Sequence, residues 1–363
     1  MADNSKIEWC DSSWSPIRAR AKQDMVIRGR EVPAGKMGYH CERISPGCVN
    51  CYASTMNGRM LPAWGTGLDF TVPNREKVEI FLDEEELMKP LKWKKPRRIF
   101  VESMSDWCAT FVTDEMRDRI LAVEALCPQH TFLHLTKRAK ECAEYFNTGS
   151  DPVFSNCSLR YRDVLQAARR IRNRLPEMWS VPISDPQRFP PRNVHLGFSA
   201  ENQQYFDERW SHMRRLAAAG WKVWVSAEPL LGPIDMRQAL WPKCEHRGVL
   251  QQVVVGGESG HGARPMNIAW VRSIVHQCAD AEVACFVKQM GAKPFETNLD
   301  VAIKHDPVVS IAAKQAPFMQ GFTRITDSEG TYLRKNWRLK DRKGSDMSEW
   351  SEDLRVRQFP EAR

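Results

Sequence analysis

Six times along this chain a short β-rich run stops at a cluster of polar, hydrogen-bonding side chains, and a helical stretch follows. The runs are Ile99–Val101, Thr131–Leu135, Val194–Phe198, Val223–Val225, Val253–Val255 and Ala284–Val287. Continuous apolar strands alternating with helices belong in a parallel sheet covered on both faces, because a strand with one wet face would alternate apolar and polar residues instead. Ile7-Glu8-Trp9 supplies a seventh strand candidate. Apolar spacing predicts helices over 114–126, with Asp114 as N-cap, over 205–218 and over 267–279. An open doubly wound sheet would gather its polar groups at the one point where strand order reverses. Here every run ends in them, which predicts an α/β fold built on a partial or full parallel (β/α) barrel with its working face at the strand C-termini.

Two stretches depart from this rhythm. Residues 17–37, with Arg18, Arg20, Lys22, Arg28, Arg30 and Lys36, read as a basic insertion forming a loop or hairpin. Residues 139–191 add a helix at 159–175, whose stripe of Val164, Leu165, Ala168, Ile171 and Leu175 lies opposite Arg160, Arg162, Arg169, Arg170, Arg172 and Arg174. Those arginines read either as a solvated face or as a phosphate contact. The barrel is expected over 1–299 and a small basic appendage over 300–363, so that one elaborated barrel accounts for the 363 residues.

Charge narrows the partners. With 53 Lys and Arg against 45 Asp and Glu, the net charge is +8, which favours a nucleic acid or nucleotide partner without the concentrated basic footprint of a dedicated binder. No apolar run is long enough to span a membrane and the first residues lack an apolar signal core, so a cytoplasmic protein with no membrane contact is expected.

The cysteine count is eleven. Cys10, Cys108, Cys127, Cys142, Cys157, Cys244, Cys278 and Cys285 are dispersed and read as small buried packing residues. Cys41, Cys48 and Cys51 instead form a C-x6-C-x2-C array, in which Pro46 and Gly47 supply the turn that brings the first thiol back toward the other two. Thiolates gathered so closely repel unless a cation takes up their charge. Structural zinc would need a fourth ligand from His40, Cys10 or a distant residue. A [4Fe-4S] cluster on three cysteines would leave one iron without a protein ligand. Three free thiols in a turn is the remaining reading.

The strand ends hold the other candidates. Glu258, in Gly256-Gly257-Glu258-Ser259-Gly260, stands where glycines let a ligand approach the backbone and a carboxylate can accept from an ammonium or a ribose hydroxyl. Glu102, Ser103 and Asp106 could complete a cofactor or substrate pocket, Asp106 reading equally as a helix N-cap. Lys137 and Arg138 could hold a carboxylate or phosphate. Glu201 and Glu228 could pair with Lys137, Arg138 or Lys288, and Arg264 follows the glycine turn closely enough to reach the same space.

Several motifs taken together carry a resemblance: Lys6-Ile7-Glu8-Trp9, Trp14-Ser15-Pro16, Ser45-Pro46-Gly47-Cys48 with Cys51-Tyr52-Ala53, Ser103-Met104-Ser105-Asp106, Leu135-Thr136-Lys137-Arg138, Glu228-Pro229-Leu230-Leu231-Gly232-Pro233, Gly256-Gly257-Glu258-Ser259-Gly260 with Arg264-Pro265, and Lys288-Gln289. From about residue 5 to residue 360 the chain resembles a phage-associated radical-SAM-like family, similar to the branch of radical-SAM barrels that contains spore photoproduct lyase. The resemblance implies a radical-SAM barrel in which Cys41, Cys48 and Cys51 ligate the cluster. Tyr52, Ser103, Gly256, Gly257 and Glu258 would contact S-adenosylmethionine. Compared with the usual C-x3-C-x2-C array, the first spacing is longer by three, and Asn50 stands where an aromatic residue usually precedes the third cysteine. The function expected is an iron–sulfur, radical-SAM-like enzyme served by an electron donor and acting on a nucleobase or nucleic acid. The alternative is a non-catalytic nucleic-acid-binding or interaction protein with a structural zinc or iron–sulfur site.

Overall fold

The computed structural model describes residues 5, 7–60, 64–146, 157–175, 190–241, 249–297, 323–327 and 330–360. In chain order its strands are β1 (Ser12–Trp14), β2 (Ile17–Ala21), β3 (Met25–Ile27), β4 (Arg30–Val32), β5 (Met37–Gly38), β6 (Val78–Leu82), β7 (Arg98–Val101) and β8 (Thr131–Thr136). Then come β9 (Val194–Ser199), β10 (Lys222–Ala227), β11 (Leu250–Gly256), β12 (Met266–Asn267), β13 (Ala284–Gln289), β14 (Pro294–Thr297), β15 (Thr323–Asp327) and β16 (Gly330–Asn336). The helices are α1 (Tyr52–Gly58), α2 (Glu84–Leu87), α3 (Asp114–Ala125), α4 (Ala139–Tyr145), α5 (Cys157–Asn173), α6 (Gln203–Ala218), α7 (Arg237–Leu240) and α8 (Ile268–Asp280).

One seven-stranded sheet runs β1-β7-β8-β9-β10-β11-β13. The pairs β1·β7, β7·β8, β8·β9 and β11·β13 are parallel. Strand order follows chain order without reversal, so the sheet has no switch point and winds as a partial (β/α) barrel does. Every residue of β9 is buried, as are all but Lys222 of β10 and all but Gln251 of β11. That double-sided burial is what continuous apolar runs require.

The first strand corrects the sequence reading. Ile7-Glu8-Trp9 forms a turn in which the Cys10 N–H donates to the Ile7 carbonyl (3.1 Å), and the edge strand forms at Ser12–Trp14, with Ser12 opposite Ile99. Ser12 and Trp14 are fully buried. Their polar atoms have partners: Ser12 Oγ accepts from Arg97 Nη1 (3.0 Å), and Trp14 Nε1 donates to the Glu86 carbonyl (2.8 Å). A serine satisfied in this way is as much a core residue as a valine, and a search for apolar runs passes over it. Helix α3 needs a smaller correction, since its N-cap is Thr113, whose side chain accepts from Met116 N, rather than Asp114.

Two compact units are distinguished: residues 1–199, 208–224 and 242–250, and residues 200–207, 225–241 and 251–363. In the first unit, β2 pairs antiparallel with β5 and β6, and β3 with β4 forms a hairpin, so the basic stretch 17–37 is built as strands. Helix α3 is fastened to β8 by Glu124 Oε1 and His134 Nε2, 2.7 Å apart and both without exposure. Val164, Ala168 and Ile171 of α5 are buried. Arg160 is tied to Asp114 (2.8 Å) and Asp118 (3.4 Å) and lies over the Tyr145 ring, so it belongs to packing rather than to a phosphate contact. In the second unit, β12-β14-β16-β15 form a four-stranded sheet. The chain then returns to β13, where Val287 N donates to the Val356 carbonyl and Gln358 N to that of Cys285 (both 2.8 Å). Parts of the expected insertion (147–156 and 176–189) and of the expected appendage (300–322) lie outside the described residues.

Cys10, Cys108, Cys127, Cys142, Cys278 and Cys285 are buried, as packing residues are. The Cys157 side chain and Cys244 lie outside what is described.

Candidate functional site

The three cysteines stand apart from these six by their setting. After β5 the chain passes through buried Tyr39 and His40 to Cys41, turns once through Pro46–Cys48, and reaches Cys51, the residue from which α1 starts. Pro46 fits the first position of that turn because its fixed φ suits it and its missing N–H would be unpaired there anyway. All three cysteines are half-buried. Cys41 and Cys51 pack against the cluster of Tyr39, Ala53, Phe70 and Met104, while Cys48 Sγ lies 3.8 Å from Ser45 Oγ.

Burial pushes the Cys41 thiol up to about 12; Asp106, Cys51 and Cys48 push the same way, and Arg138 opposes them. Burial also raises Cys51, against the backbone N–H groups of Ser54 and Ala53 in the first turn of α1 and against Lys137; the charge of Cys48 raises it further. The three sulfurs are therefore within electrostatic reach of one another. Their negative charge is unwelcome until a cation arrives, and helix N–H groups, Arg138 and Lys137 are already placed to share it.

Among the described residues, no three His, Cys, Asp or Glu side chains are gathered about one point where a single metal ion would fit. His40, a candidate fourth ligand for zinc, is 2% exposed, lies against the Phe70 and Phe111 rings, and has no hydrogen-bond partner for Nε2 among the described residues. Cys10, the other, donates to Ser5 Oγ (3.4 Å). The loop itself offers three soft sulfur donors with N–H groups and cations around them.

Behind the loop, Asp106 is a hub and not a helix cap. Its Oδ1 accepts from Cys108 N (3.0 Å) and Thr136 Oγ1 (2.7 Å), its Oδ2 from Lys137 N (3.0 Å) and Arg138 Nη1 (3.2 Å). Arg138, 5% exposed, continues to the Glu42 carbonyl (3.3 Å) and lies within electrostatic reach of Cys41. It is turned into the protein, toward the cysteine loop. Ser105 Oγ donates to the His40 carbonyl (2.8 Å), and the Tyr52 hydroxyl donates to the Ser103 carbonyl. The strand ends of β7 and β8 thus hold both sides of the loop.

Glu102 ends β7 at φ 55°, a left-handed conformation that costs a non-glycine residue about 1–2 kcal/mol. It is 1% exposed; Oε1 accepts from Ile17 N (2.8 Å), and Oε2 has no partner among the described residues. Burial pushes its carboxyl well above the usual carboxylate range, although the Ile17 N–H and Arg18 pull it down. Raised in the folded state, this group contributes stability that is complete below its unfolded value and lost as pH climbs through its folded one. Glu102→Gln keeps the acceptor for Ile17 and does not titrate. Its urea midpoint should match the wild type near pH about 4 and exceed it increasingly toward alkaline pH, whereas parallel midpoints would contradict the assignment.

The remaining candidates belong to the second unit and form two ion pairs. Glu258 is held on both oxygens by Arg264, from Nε (2.9 Å) and Nη2 (2.7 Å), with Arg264 N adding a third bond (2.9 Å). Glu228 accepts from Ser226 Oγ (3.1 Å) and pairs with Lys288 Nζ (3.1 Å). Glu201 is fully buried and lies within electrostatic reach of Arg264. The glycines have a packing reason: a Cβ at Gly256 would stand 2.9 Å from Glu228 Oε1, and one at Gly257 would stand 2.5 Å from the Met290 carbonyl oxygen. Sequence reasoning missed Glu42, Arg43 and Arg59 near the cysteine loop, since isolated charges carry no periodic signal.

A family model described as a protein of unknown function (DUF5131) matches residues 37–342, a span that opens at β5 and includes all three loop cysteines. No curated protein and no solved structure matches the chain.

Proposed function

The chain belongs to the DUF5131 family, whose description names no activity, and we propose from its residues that it is an iron–sulfur enzyme of the radical-SAM type. Cys41, Cys48 and Cys51 would hold the cluster. The observation that carries this reading is the loop itself: Cys41 and Cys51 pack on one buried cluster, Cys48 ends the intervening turn, Cys51 caps α1, and Arg138 reaches the loop from Asp106. A bound cluster with one iron free of protein ligands supplies a chelation point and one electron for reductive cleavage of S-adenosylmethionine.

The protein's own residues do the rest. Arg138, anchored on Asp106, neutralises thiolate charge at Cys41 and cannot swing away without leaving a buried carboxylate unpaired. The Ala53 and Ser54 N–H groups do the same at Cys51. Tyr39, Phe70 and Met104 keep water from the inner side of Cys41 and Cys51. Ser103 fixes Tyr52 at the start of α1, and Lys137, next to Arg138, is placed to meet a carboxylate or phosphate arriving at the loop.

Protein purified without oxygen, reconstituted with iron and sulfide and reduced with dithionite, is expected to convert S-adenosylmethionine to 5′-deoxyadenosine. Product no higher than in a Cys48→Ala control overturns the reading.

A further inference from the structure

Beside the cysteine loop lies a cleft of about 300 Å³ lined by Cys51, Thr55, Arg28, Arg43, Arg59 and Asp69. Arg28 Nη2 donates to both Asp69 oxygens (2.9 and 2.8 Å) and so neutralises the cleft's one carboxylate. The guanidinium groups of Arg43 and Arg59 are exposed and have no carboxylate partner among the described residues. The cleft therefore carries two uncompensated, planar, multiply donating cations.

The sequence builds this arrangement deliberately. Arg28 and Gly29 take the two central positions of the β3–β4 hairpin at φ 52° and 73°, the geometry of a tight two-residue turn. The hairpin tip is then fixed to α1, because Arg30 Nη1 donates to the Arg59 carbonyl (3.5 Å) while Arg28 holds Asp69. The basic stretch 17–37 thus delivers an arginine to the helix that begins at Cys51. Along the same edge the chain exposes apolar side chains, Val49 at 56% and Tyr52 at 50%, the tyrosine ring being fixed through its hydroxyl to Ser103.

Unpaired arginines in a cleft, flanked by a fixed, solvent-facing aromatic ring, make the pairing that single-stranded nucleic acids use: guanidinium on phosphate, ring on base. We propose that this cleft binds the phosphodiester backbone of a single-stranded nucleic acid, with a base lying on Tyr52. The inference rests on the iron–sulfur reading only for what the strand would be presented to; the binding itself needs no cluster. A strand is favoured over a free nucleotide because Tyr52 lies outside the residues that line the cleft, so a base on its ring and a phosphate on Arg43 or Arg59 belong to a ligand longer than the cleft.

The test is fluorescence anisotropy of a fluorescein-labelled single-stranded oligonucleotide with the full chain, without reductant or S-adenosylmethionine. Saturable binding that weakens with salt is expected. Arg43→Glu with Arg59→Glu should weaken it at least about tenfold and reduce the slope of log affinity against log salt by about 1.4. Arg162→Glu with Arg169→Glu, on the exposed face of α5, should leave it unchanged, and the protein should bind alike before and after reconstitution with iron and sulfide, so failure here and failure of the cluster reading are separable. Both arginine pairs are exposed, and an unchanged thermal melt checks that the variants fold. No binding at low salt, equal loss in the α5 variant, or competition by a mononucleotide as effective as the strand at equal phosphate would each overturn the proposal.

Discussion

Cys48→Ala, purified without oxygen, is expected to be colourless, to fall from about four irons per chain to less than one, and to melt within a few degrees of the wild type. Cys48 closes a single turn whose backbone bonds, Cys48 N to the Ser45 carbonyl (3.0 Å) and Val49 N to that of Pro46 (3.2 Å), do not involve the thiol. Its side chain is half-buried and lies beside Ser45 Oγ. Alanine therefore removes one ligand and little packing. Cys127→Ala makes the opposite comparison: that thiol is fully buried near Glu124, so its loss should lower stability by about 1–2 kcal/mol and leave the iron content alone. Equal iron in Cys48→Ala and the wild type would contradict the assignment of the loop, whatever the two proteins' stabilities.

Asp106→Ala should be the most destabilising single change near the site, by about 3–5 kcal/mol. The substitution leaves a nearly buried guanidinium with only its longer pairing to Glu42 (3.7 Å) and removes the acceptor from Cys108 N, the Thr136 hydroxyl and Lys137 N. Asp106→Asn keeps the carbonyl oxygen for two of those donors and loses the charge, so it should fall between the wild type and alanine. Combining Asp106→Ala with Arg138→Met should recover part of the loss, because the unpaired charge goes with the arginine. Urea unfolding of the four proteins checks the set. A loss below about 1 kcal/mol for Asp106→Ala would mean that water replaces the carboxylate, and the hub would lose its structural meaning.

The difference between what the sequence disclosed and what it did not has a physical pattern. The runs Thr131–Leu135 and Val194–Phe198 were legible because strands buried on both faces are mostly apolar, and both lie in the sheet where expected. The first strand was not, because its inward residues include Ser12, whose burial is made tolerable by Arg97, a partner 85 positions away. The proximity of Cys41, Cys48 and Cys51 was legible, since all three thiols come from one short loop. The partners of Asp106 were hidden for the opposite reason: Thr136 and Arg138 reach it from the end of the next strand, and sequence proximity carries no trace of that pairing. Lys288 pairs with Glu228 at 3.1 Å, and Arg264 pairs with Glu258 at 2.7 Å, a contact that the six-residue spacing in the sequence does not specify. The role of the basic stretch 17–37 depended on a hairpin tip meeting the side of α1, a contact made only in three dimensions.

Metal analysis combined with low-temperature electron paramagnetic resonance of the dithionite-reduced protein, purified without oxygen, tests the central claim most directly. The three-thiolate loop predicts about four irons per chain, visible absorbance and a reduced-cluster signal, all lost in Cys48→Ala. About one zinc per chain, no colour and no signal would contradict it.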